Sequence, residues 1–267
     1  MSEKVFHPSP EWSANAHIQT MDQYQEIYDR SIQDRDAFWA EIAERITWFK
    51  KWDTVSNVDF VNADIKWFEG GKLNVSYNCL DRHVEAGYGD RTALIWEGND
   101  PKEDKHITYQ ELLNDVQKFA NVLKNIGVEK GDRVCLYMQM VTQLPVAMLA
   151  CARIGAVHSV VFGAFSADSL RDRINDSECK ILITQDTGVR GTKQNISMKT
   201  NADKAVSQTP SIEHVVVVQR TGELVEMETG RDLWWHEEMA SADAVCPPEE
   251  MDAYYALENY LADFGSI

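Results

Sequence analysis

Short apolar runs alternate with helix-like segments between residues 91 and 218, and this alternation constrains the fold more than any other feature of the sequence. Four of the runs are almost unbroken: "DRVCLYMQ", "AVHSVVF", "KILITQD" and "EHVVVVQ". Before them, "NVSYNCLDRHVEAG" predicts a helix and "RTALIWEG" predicts a further strand. Strands that are covered on both faces have this character, whereas a strand with one wet face alternates apolar and polar residues. The pattern therefore predicts a doubly wound parallel sheet of the α/β class, with helices on both faces.

The segments between these runs carry helix start and stop signals. The clearest is "ITYQELLNDVQKFANVLKNIG", where Thr108 and Glu111 predict a capping box and Gly127 marks the end of the helix. Ser166 predicts the start of another helix in "SADSLRDRINDS". Because crossovers between parallel strands are right-handed, the strand-to-helix turns share one edge of the sheet, where ligands of such folds usually bind.

The first 72 residues have a different character. Tyr24, Ile27, Tyr28 and Ile32 recur at helical spacing, and five of the eight tryptophans fall in this section. This predicts an N-terminal helical cap over residues 1–72, packed on a main α/β domain over residues 73–253.

The last segment, residues 254–267, reads "YYALENYLADFGSI". It has apolar residues at helical spacing, a pattern that chance sequence also produces readily. We predict that this segment packs poorly on the α/β core.

The chain is acidic, with a formal net charge of -17 and a pI near 4.8. A polyanion would be repelled overall, which excludes nucleic acid and anionic membrane surfaces as general partners. No stretch approaches the roughly 20 apolar residues of a membrane span. The five cysteines are odd in number and widely spaced, which favours reduced thiols in a cytoplasmic protein over a disulfide framework or a zinc site.

One short stretch departs from this acidity. In "DTGVRGTK" the cations Arg190 and Lys193 flank Gly191, and no acidic residue occurs from Thr187 through Ala202. Such cations can converge on one anion, and glycine permits the sharp turn that brings them together. Spacing alone leaves a second interpretation open, in which this is an ordinary solvent-exposed turn.

A second turn, "VVFGAFS", leaves its strand through Gly163, which allows the backbone to approach a ligand. It is open to the same two interpretations. The sequence has neither G-x-G-x-x-G after the first strand nor G-x-x-x-x-G-K-[ST], so dinucleotide binding of the Rossmann type and a P-loop have no support. "WWHEEM" lacks the second histidine of H-E-x-x-H and predicts the start of a helix, with no metal site.

Long strings of the chain resemble one family, the AMP-forming acetate–CoA ligases known as acetyl-coenzyme A synthetases. "GGKLNVSYNCLDRH" is similar to their N-terminal region, and the similarity continues from "GDRVCLYMQ" to "DTGVRGTK" without a gap. It runs from roughly Tyr24 to Ala253. The resemblance implies an adenylate-forming fold, with the main domain being part of an AMP-binding domain. It also implies a reaction in which acetate and ATP, with Mg²⁺, give acetyl-AMP and pyrophosphate. The CoA thiol then displaces AMP to yield acetyl-CoA.

The resemblance also implies a role for the two turns. In this family the basic turn binds the 3′-phosphate end of CoA, and the matching positions are Arg190, Gly191, Thr192 and Lys193. Family members commonly carry arginine at the last of these, so Lys193 keeps the charge but loses the bidentate fork.

The other turn lines the path of the CoA arm in this family. Here the matching positions are Phe162, Gly163 and Ala164. A second glycine is common at the third position, so Ala164 adds a methyl group where the ligand passes.

The segment after "CPPEEMDA" departs from the family, which continues there into a Ser/Thr/Gly-rich loop that wraps the ATP phosphates. No lysine or arginine follows Arg231 in this chain. We therefore expect an N-terminal fragment with no catalytic residues of its own, which does not form acetyl-AMP alone.

Two alternatives are a non-catalytic CoA- or nucleotide-binding module and an interaction protein that associates with a separately encoded remainder of the enzyme. The choice between acetate and propionate, and the oligomeric state, are left open.

Overall fold

A five-stranded parallel sheet forms the centre of the molecule. The computed structural model describes residues 6–253. Within them the strands of this sheet lie in the order β12-β11-β8-β6-β7, and every neighbouring pair is parallel. This confirms the predicted α/β sheet. Its strands are β6 (Arg133–Met138), β7 (Val157–Phe162), β8 (Ile181–Gln185), β11 (His214–Val218) and β12 (Asp232–Trp234).

Helices cover both faces of this sheet, and two separate apolar clusters result. Alternate residues of each central strand enter opposite clusters: Ile183 and Val216 pack on one face, and Leu182 and Val217 on the other. This double burial explains the unbroken apolar runs. The helices of this domain are α6 (Tyr109–Asn125), α7 (Gln143–Ile154), α8 (Ala167–Ser177), α9 (Met198–Val206) and α10 (Trp235–Ser241).

The predicted ends of helix α6 are confirmed. The Thr108 side chain accepts a hydrogen bond from the Glu111 N–H, and the Glu111 carboxylate accepts one from the Thr108 N–H, which completes the capping box. Gly127 follows the helix with φ at 89°, a value that glycine adopts without strain. The predicted start of α8 is confirmed as well, because Ser166 accepts a hydrogen bond from the Ser169 N–H.

The N-terminal region is helical only in its first part. A β-hairpin follows the helices, and the sequence analysis did not predict it. Asp59 shapes the turn of this hairpin by accepting hydrogen bonds from the N–H groups of Val61 and Asn62. The division at residue 72 stays a prediction. The elements of this region are α1 (Pro10–Asn15), α2 (Met21–Gln33), α3 (Arg35–Ala43), β1 (Thr54–Asp59) and β2 (Asp64–Glu69).

Two small antiparallel sheets lie outside the parallel sheet. Strand β3 (Lys72–Leu73) pairs with β13 (Met251–Asp252), and β4 (Thr92–Glu97) pairs with β5 (Asp104–Thr108), both antiparallel. Strand β4 was expected from the sequence, but it lies in this separate hairpin and not in the parallel sheet. The predicted helix near residues 74–87 is α4 (Val75–Cys79), then α5 (Asp81–His83) and a π-helical turn (Val84–Tyr88).

Two further findings concern membrane-spanning helices and disulfide bonds. Within residues 6–253, no helix has the length and apolar character needed to cross a bilayer. No disulfide joins the five cysteines, all of which lie in the described part of the chain. The expectation for residues 254–267 lies outside the described residues.

Candidate functional site

The carboxyl ends of β6, β7 and β8 meet at one edge of the sheet, because the three strands are parallel neighbours. Both turns that the sequence analysis singled out lie at this edge. The turn after β7 and the segment after β8 are separated by β6, which corresponds to two strand spacings, or about 10 Å. The fold therefore brings the two sets of predicted site residues to the same edge.

The segment after β8 is a β-hairpin and not a simple strand-to-helix turn. Its strands are β9 (Gly188–Arg190) and β10 (Lys193–Ile196), and helix α9 begins only after them. Arg190 and Lys193 are directly opposite each other in the register. Directly opposed residues of an antiparallel pair project from the same face, with their Cβ atoms about 5 Å apart. The hairpin therefore places both cations side by side.

Gly191, in the two-residue turn, is suited to its backbone conformation. Its φ is 58°, in the left-handed region, and a Cβ atom built there would meet no heavy atom within 4 Å. The glycine is thus required by the turn and not by crowding.

The two cations of the hairpin are unpaired within residues 6–253. Within the described part of the chain, the Arg190 guanidinium and the Lys193 ammonium form no ion pair and no side-chain hydrogen bond, and both residues are exposed. Like charges directly opposite on a hairpin destabilise it. A bound dianion would remove this repulsion and accept charge-assisted hydrogen bonds from both side chains. The hairpin therefore presents two adjacent, exposed cations that an anion could contact.

The base of the hairpin is fixed to the sheet by two glutamines that the sequence analysis did not identify. The Gln139 Oε1 atom accepts a hydrogen bond from the Val189 N–H at 3.0 Å, and the Gln185 Oε1 atom accepts one from the Gln139 N–H at 2.9 Å. A Cβ atom on Gly188 would lie 2.5 Å from Gln139 Oε1, so a larger residue there would displace the Gln139 side chain from this position.

The tip of the hairpin is bound to Asn99, which lies in the turn between β4 and β5. The Asn99 Oδ1 atom accepts from the Gly191 N–H at 2.7 Å, and its Nδ2 donates to the Gly191 carbonyl at 2.8 Å. A turn sequence such as "EGNDP" gives no sign of a partner 92 residues away, so sequence reasoning missed this contact.

Asp186, at the end of β8, is the acid nearest in sequence to the hairpin, but it is buried and its charge is satisfied. Its carboxylate accepts hydrogen bonds from the N–H groups of Thr187, Arg220, Thr221 and Gly222. These bonds connect the end of β8 to the loop after β11. Asp186 therefore organises the edge and is not an exposed partner for the two cations.

The turn after β7 has one structural residue and two exposed ones. Gly163 is buried, and a Cβ atom there would lie 2.9 Å from the Met138 carbonyl oxygen, so packing against β6 requires glycine. Phe162 is 65% exposed and contacts Phe165 edge to face. Ala164 is exposed beside it. An exposed aromatic ring and a small residue at the same edge as the hairpin leave a surface on which a ligand can lie.

Metal ligation has no structural support in this region. Among the residues that the structure describes, no group of three His, Cys, Asp or Glu side chains is arranged to hold a metal ion. "WWHEEM" contributes the start of helix α10, as the sequence predicted.

Open parallel α/β sheets bind ligands beyond the carboxyl ends of their strands, and in this chain the two exposed cations lie at that edge. The chain belongs to the AMP-binding enzyme family, whose profile matches residues 80–257. Residues 24–79 match a second profile, described as the acetyl-coenzyme A synthetase N-terminus.

Curated relatives agree with this assignment. The chain is 57% identical over 251 residues to the acetyl-coenzyme A synthetase of Magnetococcus marinus, a match that covers 94% of this chain and 38% of the relative. It is 54% identical over 252 residues to that of Rubrobacter xylanophilus, with the same coverage. The chain therefore spans about 38% of the length of these relatives.

A solved structure shares the fold. The acetoacetyl-CoA synthetase from Streptomyces lividans superposes with a TM-score of 0.77 at 25% sequence identity, over 91% of this chain and 37% of that one. The family assignment from sequence resemblance is thus confirmed, together with the fold class.

Proposed function

We propose that this chain is the N-terminal part of an AMP-forming acetate–CoA ligase, which converts acetate, ATP and CoA to acetyl-CoA, AMP and pyrophosphate. The family match and the names of the relatives support this activity. ATP and Mg²⁺ would be handled by the whole enzyme. Because no disulfide joins the five cysteines, a reducing, cytoplasmic setting fits the protein.

The part of this function that belongs to the described residues is the binding of CoA. In this proposal Arg190 and Lys193 contact the 3′-phosphate, and Gly191 and Thr192 form the turn between them. Phe162, Gly163 and Ala164 line the path of the rest of the molecule. The observation that carries the proposal is the cross-strand pair of cations, which has no partner among the described residues.

The expected affinity of the isolated chain is low. Two charge-assisted contacts are worth about 1.5–3 kcal/mol each before solvent exposure reduces them. The net charge of -17 opposes the approach of an anion. We expect a binding free energy on the order of -5 kcal/mol, which corresponds to a dissociation constant in the high-micromolar range.

Calorimetry with charge variants tests the proposed site. Arg190→Ala combined with Lys193→Ala should abolish detectable CoA binding, since the phosphate loses both contacts. Thr192→Ala is the matched control, and it should change little because its hydroxyl has no assigned role. CoA binding that survives the double substitution would place the phosphate elsewhere.

A separate assay addresses catalysis. Stabilising a triphosphate and its developing charge requires positioned cations, and no lysine or arginine follows Arg231 in this sequence. We expect the 267-residue chain to show no acetate-dependent ATP–pyrophosphate exchange. Exchange by the pure protein clearly above a mock preparation would show that these residues suffice for adenylation.

A second candidate function is association with a separately encoded remainder of the enzyme. One observation favours it: helix α2 has no buried residue and leaves Tyr24, Ile27, Tyr28 and Ile32 exposed at helical spacing. Ile27→Asp with Ile32→Asp should then weaken the complex with a polypeptide that supplies the relatives' remaining length. Sedimentation velocity would measure this, and unchanged association would remove α2 from the interface.

A further inference from the structure

The β4–β5 hairpin contacts the carboxyl edge of the parallel sheet at three places, although it belongs to a different sheet. The Trp96 indole N–H donates to the Met140 carbonyl at 2.7 Å, beyond the end of β6. Asn99 binds Gly191, beyond β8, and the Glu103 carboxylate pairs with Arg220 at 2.8 Å, beyond β11. The hairpin therefore spans the edge where the candidate site lies.

The middle contact acts on the site itself. Asn99 exchanges two hydrogen bonds with one residue, as a neighbouring strand would do through its backbone, and that residue lies between the two cations. Gly191 has no side chain, and even a Cβ atom there would meet no heavy atom within 4 Å. Gly191 therefore has no side-chain packing at the tip, and its two hydrogen bonds to Asn99 restrain it.

We propose that Asn99 is a positioning residue for CoA binding. It fixes the hairpin tip so that Arg190 and Lys193 are held toward one phosphate. This inference rests on the proposed function, because it assumes that the hairpin is the phosphate site. Asn99 itself makes no contact with the phosphate in this account.

The physical reason is the cost of ordering a mobile site when the ligand binds. Two opposed cations repel each other, so an untethered tip would let them separate. The ligand would then have to restore their arrangement, which weakens binding. The neutral amide satisfies both the donor and the acceptor of Gly191 without placing a negative charge beside the phosphate.

The test compares the full 267-residue wild-type chain with Asn99→Ala. The expected result is CoA binding weakened about three- to tenfold, the value of one or two exposed hydrogen bonds. Binding of dephospho-CoA, which lacks the 3′-phosphate, should change less than twofold. The Gly191 amide should exchange with solvent faster in the variant, as measured by NMR.

Two further variants distinguish a positioning role of Asn99 from a non-specific effect of substituting an asparagine. Asn62→Ala removes an asparagine whose side chain donates to Asp59 within the turn between β1 and β2, and it should change neither readout. Asn99→Asp keeps an acceptor for the Gly191 N–H, so its amide exchange should fall between wild type and Asn99→Ala.

The outcomes are distinguishable from failure of the proposed function. If wild type binds CoA and dephospho-CoA equally, the hairpin is not the phosphate site, and both proposals fail. If wild type prefers CoA and Asn99→Ala binds it as tightly as wild type does, only the positioning role is overturned. Unchanged exchange of the Gly191 amide would overturn it as well, because the tip would then be ordered without Asn99.

Discussion

Lys193 and Lys199 lie in the same acid-free stretch of sequence, yet the fold uses them in opposite ways. The Lys199 ammonium is 1% exposed and donates to Asp203 at 2.6 Å, to Asp232 at 2.7 Å and to the Glu226 carbonyl at 3.0 Å. Lys193 is exposed and, among the described residues, has no carboxylate partner. A cation whose donors are all satisfied holds the structure together, whereas an unpaired one remains available to a ligand.

Asp232, the buried partner of Lys199, has a pKa that reflects this pairing. Burial alone would raise the pKa of Asp232, but hydrogen bonds from Arg231, Lys199 and the Glu228 N–H outweigh it and lower the pKa below its ordinary value. The Asp232 side chain is fully buried, and it joins β12 to helix α9 through Lys199. This cluster is therefore a structural one.

The largest expected effect comes from breaking the buried cluster. Lys199→Met leaves Asp232 buried with one fewer partner, and removal of one member of a buried pair costs about 3–5 kcal/mol. Urea unfolding would measure the loss. Lys193→Met is the matched control and should change stability by less than about 0.5 kcal/mol. If both substitutions lowered the free energy of unfolding equally, the distinction between a structural Lys199 and a free Lys193 would be wrong.

The second expected effect is on acid stability. Because the folded pKa of Asp232 is lowered, its contribution is fully present above its unfolded pKa, near 3.8, and is lost as the pH falls through the folded value. In Lys199→Met the folded pKa should rise, so stability should begin to fall at a higher pH than in wild type. Acid unfolding followed by circular dichroism would show this, and coincident acid transitions would contradict it.

The third prediction gives the free cations a partner of their own. Thr192→Asp places a carboxylate in the turn between Arg190 and Lys193, which should weaken CoA binding about tenfold by competing for both charges. Thr192→Asn has the same shape without the charge and should bind nearly as wild type does. Calorimetry measures both, and equal affinities would show that the charges of this turn do not bind the ligand.

The sequence predicted the parts of the fold that depend on local patterns. The capping box at Thr108 and Glu111 and the strands of the parallel sheet are set by neighbouring residues and by burial on both faces. Strand β4 shows the limit, because "TALIWE" reads alike whether it pairs in the parallel sheet or in a hairpin. Its partner is decided by tertiary packing.

The sequence singled out the exposed cations of the candidate site but not the residues that hold the hairpin in place. Arg190 and Lys193 stood out because local charge departs from the rest of the chain. Asn99 and Asp186 did not, since their partners lie far away in sequence and are brought near only by the fold. Exposed cations produce a local signal, whereas hydrogen bonds between distant loops leave none.

The central claim is that the Arg190–Lys193 pair binds the 3′-phosphate of CoA, and the most direct measurement compares CoA with dephospho-CoA on the wild-type chain by calorimetry. The account predicts that CoA binds at least about tenfold more tightly, since dephospho-CoA loses contacts worth about 1.5–3 kcal/mol each. It also predicts that added salt weakens CoA binding by screening exposed charges. Equal affinity for the two ligands would contradict the claim and leave the hairpin as an ordinary exposed turn.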